Sequence, residues 1–326
     1  MAARPGIGAA VLALAACAAG ALAAPDAPQL RHRGIAHDAL YDVCFDARGG
    51  VAVGAAGVVL ASADGGASWQ PQPQAATPLA LLGIAGEPAR RLAVGQSGAI
   101  LVDDGGGWRR VESGSTQRLL AVDANDAGIA VAVGGFGTVL LSRDHGEHWE
   151  ALAFDWQPIV EDFAEPHLYD VHVAPDGAIT LVGEFELVLR SGDAGASWTR
   201  VHKGDASLFG LHIGADGVGY AVGQQGRILR SDDGGAGWSA VATPVDAPLL
   251  GVWSAPGQPV FVAGMRTMLV GAADAWRSID GADIATGWYA AIAQVPAGVV
   301  AVGNGGQVLA IAPAVRNDAE DDKHNR

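Results

Sequence analysis

The sequence predicts an all-β protein, a seven-bladed β-propeller of four-stranded blades, and three observations predict it. First, 47 of the 326 residues are Gly, and a Gly inside a helix costs about 1 kcal/mol. Second, an apolar run ending in Val-Gly or Ala-Gly recurs at Gly54, Gly95, Gly134, Gly183, Gly223, Gly264 and Gly303. The spacings are 41, 39, 49, 40, 41 and 39 residues, so there are seven units, one of them enlarged. Third, the segment Ser-x-Asp-x-Gly-x-x-Trp closes four units at one register.

Residues 1–24 read as an export signal. Arg4 precedes an apolar stretch from Ile7 to Ala23, Ala21-Leu22-Ala23 is a small-x-small cleavage pattern, and Pro25 ends it. About 17 apolar residues is the lower limit for a membrane span. Leu14-Ala15-Ala16-Cys17 also reads as a bacterial lipobox that would place a lipid on Cys17. Both routes export the chain to the periplasm. Cys17 and Cys44 are the two cysteines, and either route leaves Cys44 without an intramolecular partner. Stability must then come from a large core rather than from a disulfide.

Residues 25–313 are expected to form the propeller. Each unit opens with an apolar run such as Leu40-Tyr41-Asp42-Val43-Cys44-Phe45, continues through Ala-Val-Gly-x-x-Gly, and then runs to the closing segment. Short β-rich runs bounded by Gly and Asp turns read as strands. The closing segments carry Asp64 with Trp69, Asp144 with Trp149, Asp193 with Trp198 and Asp233 with Trp238. An Asp carboxylate can accept N–H bonds within its own turn, and a buried Trp can anchor the hairpin. A shortened copy has Asp103, Gly105 and Trp108; the sixth unit keeps Trp276, and the seventh lacks its outer strand. The segment Leu30 to Ile35 is expected to supply that strand and close the ring, which removes two sheet edges. Residues 314–326 read as an acidic, disordered tail.

The charge balance is 20 basic to 35 acidic residues, net −15. Nucleic acid and anionic membrane surfaces are therefore poor partners.

The closing segment is similar to the Asp box of neuraminidase-type (BNR) repeats, a likeness that identifies it as a β-hairpin turn. With the export signal, the period near 40 and Ala-Val-Gly-x-x-Gly, the chain resembles the photosystem II stability/assembly factor family over about Leu30 to Ile311. That resemblance implies a non-enzymatic propeller that holds a protein partner, a subunit of a membrane complex, during assembly. No cofactor is expected, and the protein is expected to be a monomer. Photosynthetic members of the family use a basic patch, whereas this chain is acidic with scattered arginines.

The rival reading is a sialidase-like glycoside hydrolase or a carbohydrate-binding propeller. Sialidase chemistry needs three converging arginines and a Tyr nucleophile with an acidic partner. Phe-Arg-Ile-Pro is absent, and Arg190 and Arg230 recur at one register, as blade surface would. No catalytic residue is assigned. His172 and His212 share a register in consecutive units; two histidines without a third ligand make a poor metal site, so no metal is assigned.

Loops of a four-stranded blade alternate between two faces. The face with the Gly-x-x-Gly turns varies most from unit to unit and receives the insertion Phe154–His167. A partner site is expected there, formed by Trp156, Glu161, Asp162 and Phe163 with Phe136 and Phe185, because exposed aromatics on loops favour binding.

Overall fold

The computed structural model describes residues 27–73, 77–86, 90–273 and 275–312. The expected export signal with its lipobox cysteine, and the expected acidic tail, lie outside the described residues. Seven four-stranded antiparallel sheets form a ring, as expected. Their innermost strands are Leu40–Asp46, Leu81–Gly86, Leu119–Ala124, Leu168–Val173, Leu208–Ile213, Leu249–Trp253 and Tyr289–Val295, in blades 1 to 7. The second strands, such as Ala130–Gly134 and Gly219–Gly223, are buried throughout because neighbouring blades cover both of their faces. Their Val-Ala runs therefore carry no polar alternation.

The ring closes between the two ends of the chain. Gln29–His32 pairs antiparallel with Val308–Ile311, with Gln29 opposite Ala310 and Leu30 opposite Leu309. This strand is the fourth of blade 7. It stops at His32, short of the expected Ile35, which is left exposed.

The Ser-x-Asp hairpins lock themselves and then wedge the blades. In blade 1, Ser62 Oγ donates to Asp64 Oδ1 (2.9 Å) and accepts the Gly66 N–H (2.9 Å). Asp64 also accepts the Ser68 N–H (2.9 Å), and Trp69 Nε1 donates to Gly66 O (3.2 Å). The same bonds hold the turns at Asp144, Asp193 and Asp233. In the shortened turn of blade 2, Asp103 stands where the others have Ser, and its Oδ1 accepts from Gly105 and Gly107. Each Trp packs against the preceding blade: Trp69 lies in a cluster with Val295 and Val300 of blade 7, and Trp149 in one with Leu92 of blade 2.

Between blades 6 and 7 no such Trp is available, because the outer strand of blade 7 comes from the other end of the chain. There Trp253 and Phe261 of blade 6 fill the seam, packed with Tyr289 and Leu309. Trp253 stands at the register held by Cys44, Ala85, Asp123, His172 and His212 in earlier blades.

Candidate functional site

The recurring Gly that marks each unit sets up the site. Gly54 ends the second strand of blade 1 in extended conformation (φ −164°), and a Cβ there would stand 2.0 Å from the carbonyl oxygen of Ala39. That close approach forces two residues of the inner strand, Leu40 and Tyr41, to face the single Gly54. The result is a β-bulge, and every blade has one at this point. A bulge re-aims a side chain. The first bulge residue stays buried, while the second turns half-exposed into the mouth of the central channel.

The second bulge residues are Tyr41, Leu82, Leu120, Tyr169, Phe209 and Leu250, with Ala290 in blade 7. They form an apolar collar around a channel of 1010 Å³. Tyr169 and Phe209 meet edge to face at 5.0 Å, and Tyr41 stacks on Trp288 at 6.0 Å. The collar opens on the Gly-x-x-Gly face.

Behind the collar lie three carboxylates. Asp42 accepts the Ile84 N–H of the next blade (2.8 Å) and the Val43 N–H of its own strand (2.8 Å). Asp170 does the same with Leu211 (2.7 Å) and Val171 (2.8 Å). Asp123, two residues further along its strand, bridges to Val173 (2.7 Å). Confinement away from bulk water pushes the Asp42 carboxyl up to about 7 and raises Asp123 and Asp170; the Asp123 charge adds to the rise at Asp42, the Asp42 and Asp123 charges add to that at Asp170, and His172 opposes it at Asp123. His172 Nδ1 lies 3.5 Å from Asp123 Oδ2. His212 Nδ1 lies 3.1 Å from Ser254 Oγ, and burial, with His172 nearby, lowers its pKa to about 4. The shared register of the two histidines does place both in the channel wall. Among the described residues, no three His, Cys, Asp or Glu side chains gather as a metal-ligand set.

The insertion lies on the collar face but is built differently from the sequence expectation. It contains a short helix, Trp156–Val160. Trp156 is buried, stacked on Phe154 at 4.7 Å, and its ring lies beneath Gly137, where a Cβ would come within 2.1 Å of Nε1. At the equivalent glycines Gly57, Gly98 and Gly226 that space is taken by a backbone carbonyl. Trp156 is thus an anchor under the insertion, not a free contact. Glu161 is held by Arg200 (3.0 Å) and Lys203 (3.4 Å), the Arg200 bond keeping its carboxyl below the usual range. Phe185 packs against the core between blades 3 and 4.

Three of the expected residues remain free. Asp162 is exposed and accepts its neighbour's N–H, and Phe163 is 92% exposed. Phe136 is 59% exposed at a backbone φ of +53°. A bulky residue in that left-handed region is strained. Phe136 packs edge-on against His167 (5.0 Å), and His167 against Tyr169 (6.4 Å), so an aromatic line runs from this tip to the collar. The collar itself was missed in the sequence, although the residue after each opening Leu marks it.

A chain with this ring is a seven-bladed β-propeller, and an apolar collar lines the channel mouth on one of its faces. No protein-family model matches the sequence, and no curated protein matches it. Solved structures do. A structure described as YCF48 bound to D1 peptide superposes with a TM-score of 0.68 at 17% identity, covering 88% of this chain and 97% of that one. YCF48 from Cyanidioschyzon merolae gives 0.69 at 17% identity, over 88% and 99%. The WD40 repeats of RRP9 give 0.68 at 11% identity, over 90% and 99%. The chain therefore shares its fold with YCF48 and with WD40 propellers.

Proposed function

We propose that this protein is an exported, non-enzymatic propeller that holds a segment of a protein partner on its collar face, and that the partner is a subunit of a membrane complex under assembly. The observation that carries this reading is Phe136. The left-handed turn position it holds recurs in other blades as Ala56, Ser97, Phe185, Gln225 and Arg266; Phe185 packs there against the core, whereas Phe136 stands 59% exposed, and an exposed aromatic on a loop favours contact with a partner. The fold likeness to YCF48, solved with a D1 peptide bound, supports a peptide-holding role. The photosystem II assembly family remains the resemblance that suggests the class of partner.

The hydrolase reading finds less support. Tyr169 hydrogen-bonds Glu184, but burial and the Glu184 charge raise its phenol pKa. That holds the oxygen protonated, the opposite of nucleophile activation.

The test is capture from the host envelope by crosslinking and mass spectrometry. A Phe136→Ala, Phe163→Ala double variant should melt within a few degrees of the wild type and lose the captured subunit. Capture of the same proteins at the same yield overturns the reading.

A further inference from the structure

The collar asks for an occupant before the carboxylates are considered. Seven half-exposed side chains, one from each blade, turn apolar surface toward one opening. Bulges in all seven blades hold them there. Surface of this kind on a soluble face marks a binding site.

The charge pattern says what the occupant carries. Asp42 and Asp170 each follow a collar residue, Tyr41 and Tyr169, in the same strands, and Asp123 lies deeper. Each bonded oxygen accepts one backbone N–H, which leaves acceptor capacity on every carboxylate. The cationic or protonatable groups in the channel wall are Arg190, His172 and His212. Arg190 is engaged with the Gly234 carbonyl (3.3 Å), and burial keeps His212 neutral.

We propose that the collar docks a protein segment that inserts a lysine or arginine side chain into the channel. The aliphatic stem would lie against Leu82, Leu120 and Leu250. The cationic head would meet the rings of Tyr41, Tyr169 and Phe209, with the Asp42 carboxylate and the acceptor oxygens of Asp170 behind them. Long basic side chains suit such a site because the stem is apolar and the head is charged, and aromatic faces attract cations. The inference rests on the partner-binding reading and names the chemistry of the contact.

The experiment uses the full chain and two synthetic peptides, identical except that one carries Lys and the other Glu at the centre of a leucine-flanked sequence. Binding is read by fluorescence anisotropy. The wild type should prefer the Lys peptide by about tenfold or more, a cation–π and charge contribution of ordinary size. High salt should weaken that preference only in part, because charges confined away from water are screened less than exposed ones. Measured at pH 8, above the point at which Asp42 gives up its proton, Phe209→Ala should weaken the Lys peptide and Asp42→Asn should reduce the preference between the two. If Asp42→Asn does not fold, the wild-type comparison decides by itself. Equal affinity, preference for Glu, or no binding of either peptide overturns the inference. The two readings fail separately: capture lost in the Phe136/Phe163 variant still supports partner binding when the Lys peptide fails.

Discussion

Asp42 and His212 face one channel and titrate in opposite directions on folding. The Asp42 carboxyl titrates near 7 in the fold against an ordinary value of 3.8, so the unfolded chain releases its proton first. Its contribution is complete at acid pH and is lost as pH rises through about 7. His212 titrates near 4 in the fold against 6.5, so the unfolded chain takes up a proton first as pH falls. Its contribution is present above about 6.5 and lost toward 4. Asp42→Asn should therefore gain melting temperature relative to the wild type as pH rises from about 4 to about 8. His212→Gln should gain as pH falls across the same window. Parallel pH profiles for wild type and variants would refute the assignment. Neither residue announces this in the sequence, because channel confinement comes from seven distant segments. Trp156 was misplaced for a related reason: the cavity it fills is opened by Gly137, 19 positions earlier.

The hairpins were legible because each is closed by its own residues. Ser62, Asp64, Gly66 and Trp69 lie within one turn, and their bonds need no other blade. Hydrogen bonds from Ser68 and Ser197 side chains hold Asp64 and Asp193 ionised down to about 2. Asp64→Ala should lower the melting temperature, measured by differential scanning calorimetry, without changing partner capture. The seam between blades 6 and 7 was not legible, since Trp253 breaks a register that elsewhere holds small or polar residues. Truncating a buried aromatic costs about 3–5 kcal/mol. Trp253→Ala should show a loss of that size in the unfolding free energy from denaturant titration, and a loss of less than a third of that would mean the seam is held by something else.

At the scale of the ring, the blade count and the closing strand followed from simple arithmetic: seven periods, and one strand missing from the last. The collar did not, because it exists only when the seven bulges face one another. Deleting residues through His32 should expose the edge of Val308–Ile311, the hazard that closure removes. The shortened protein should melt at lower temperature and self-associate on size-exclusion chromatography, and an unchanged monomer would refute the clasp.

That clasp also fixes how the molecule responds to mechanical load. Gln29 lies opposite Ala310, so residues 27 and 312 leave the ring side by side, on the face away from the collar. Tension between the two ends would draw the strands apart crosswise and break their hydrogen bonds one after another, as a zip opens, rather than all together in shear. The bonds of an antiparallel pair point along that pull. A molecule tethered by one end alone carries no such load across the clasp, whereas one gripped at both ends would open first at blade 7 with the other six blades intact.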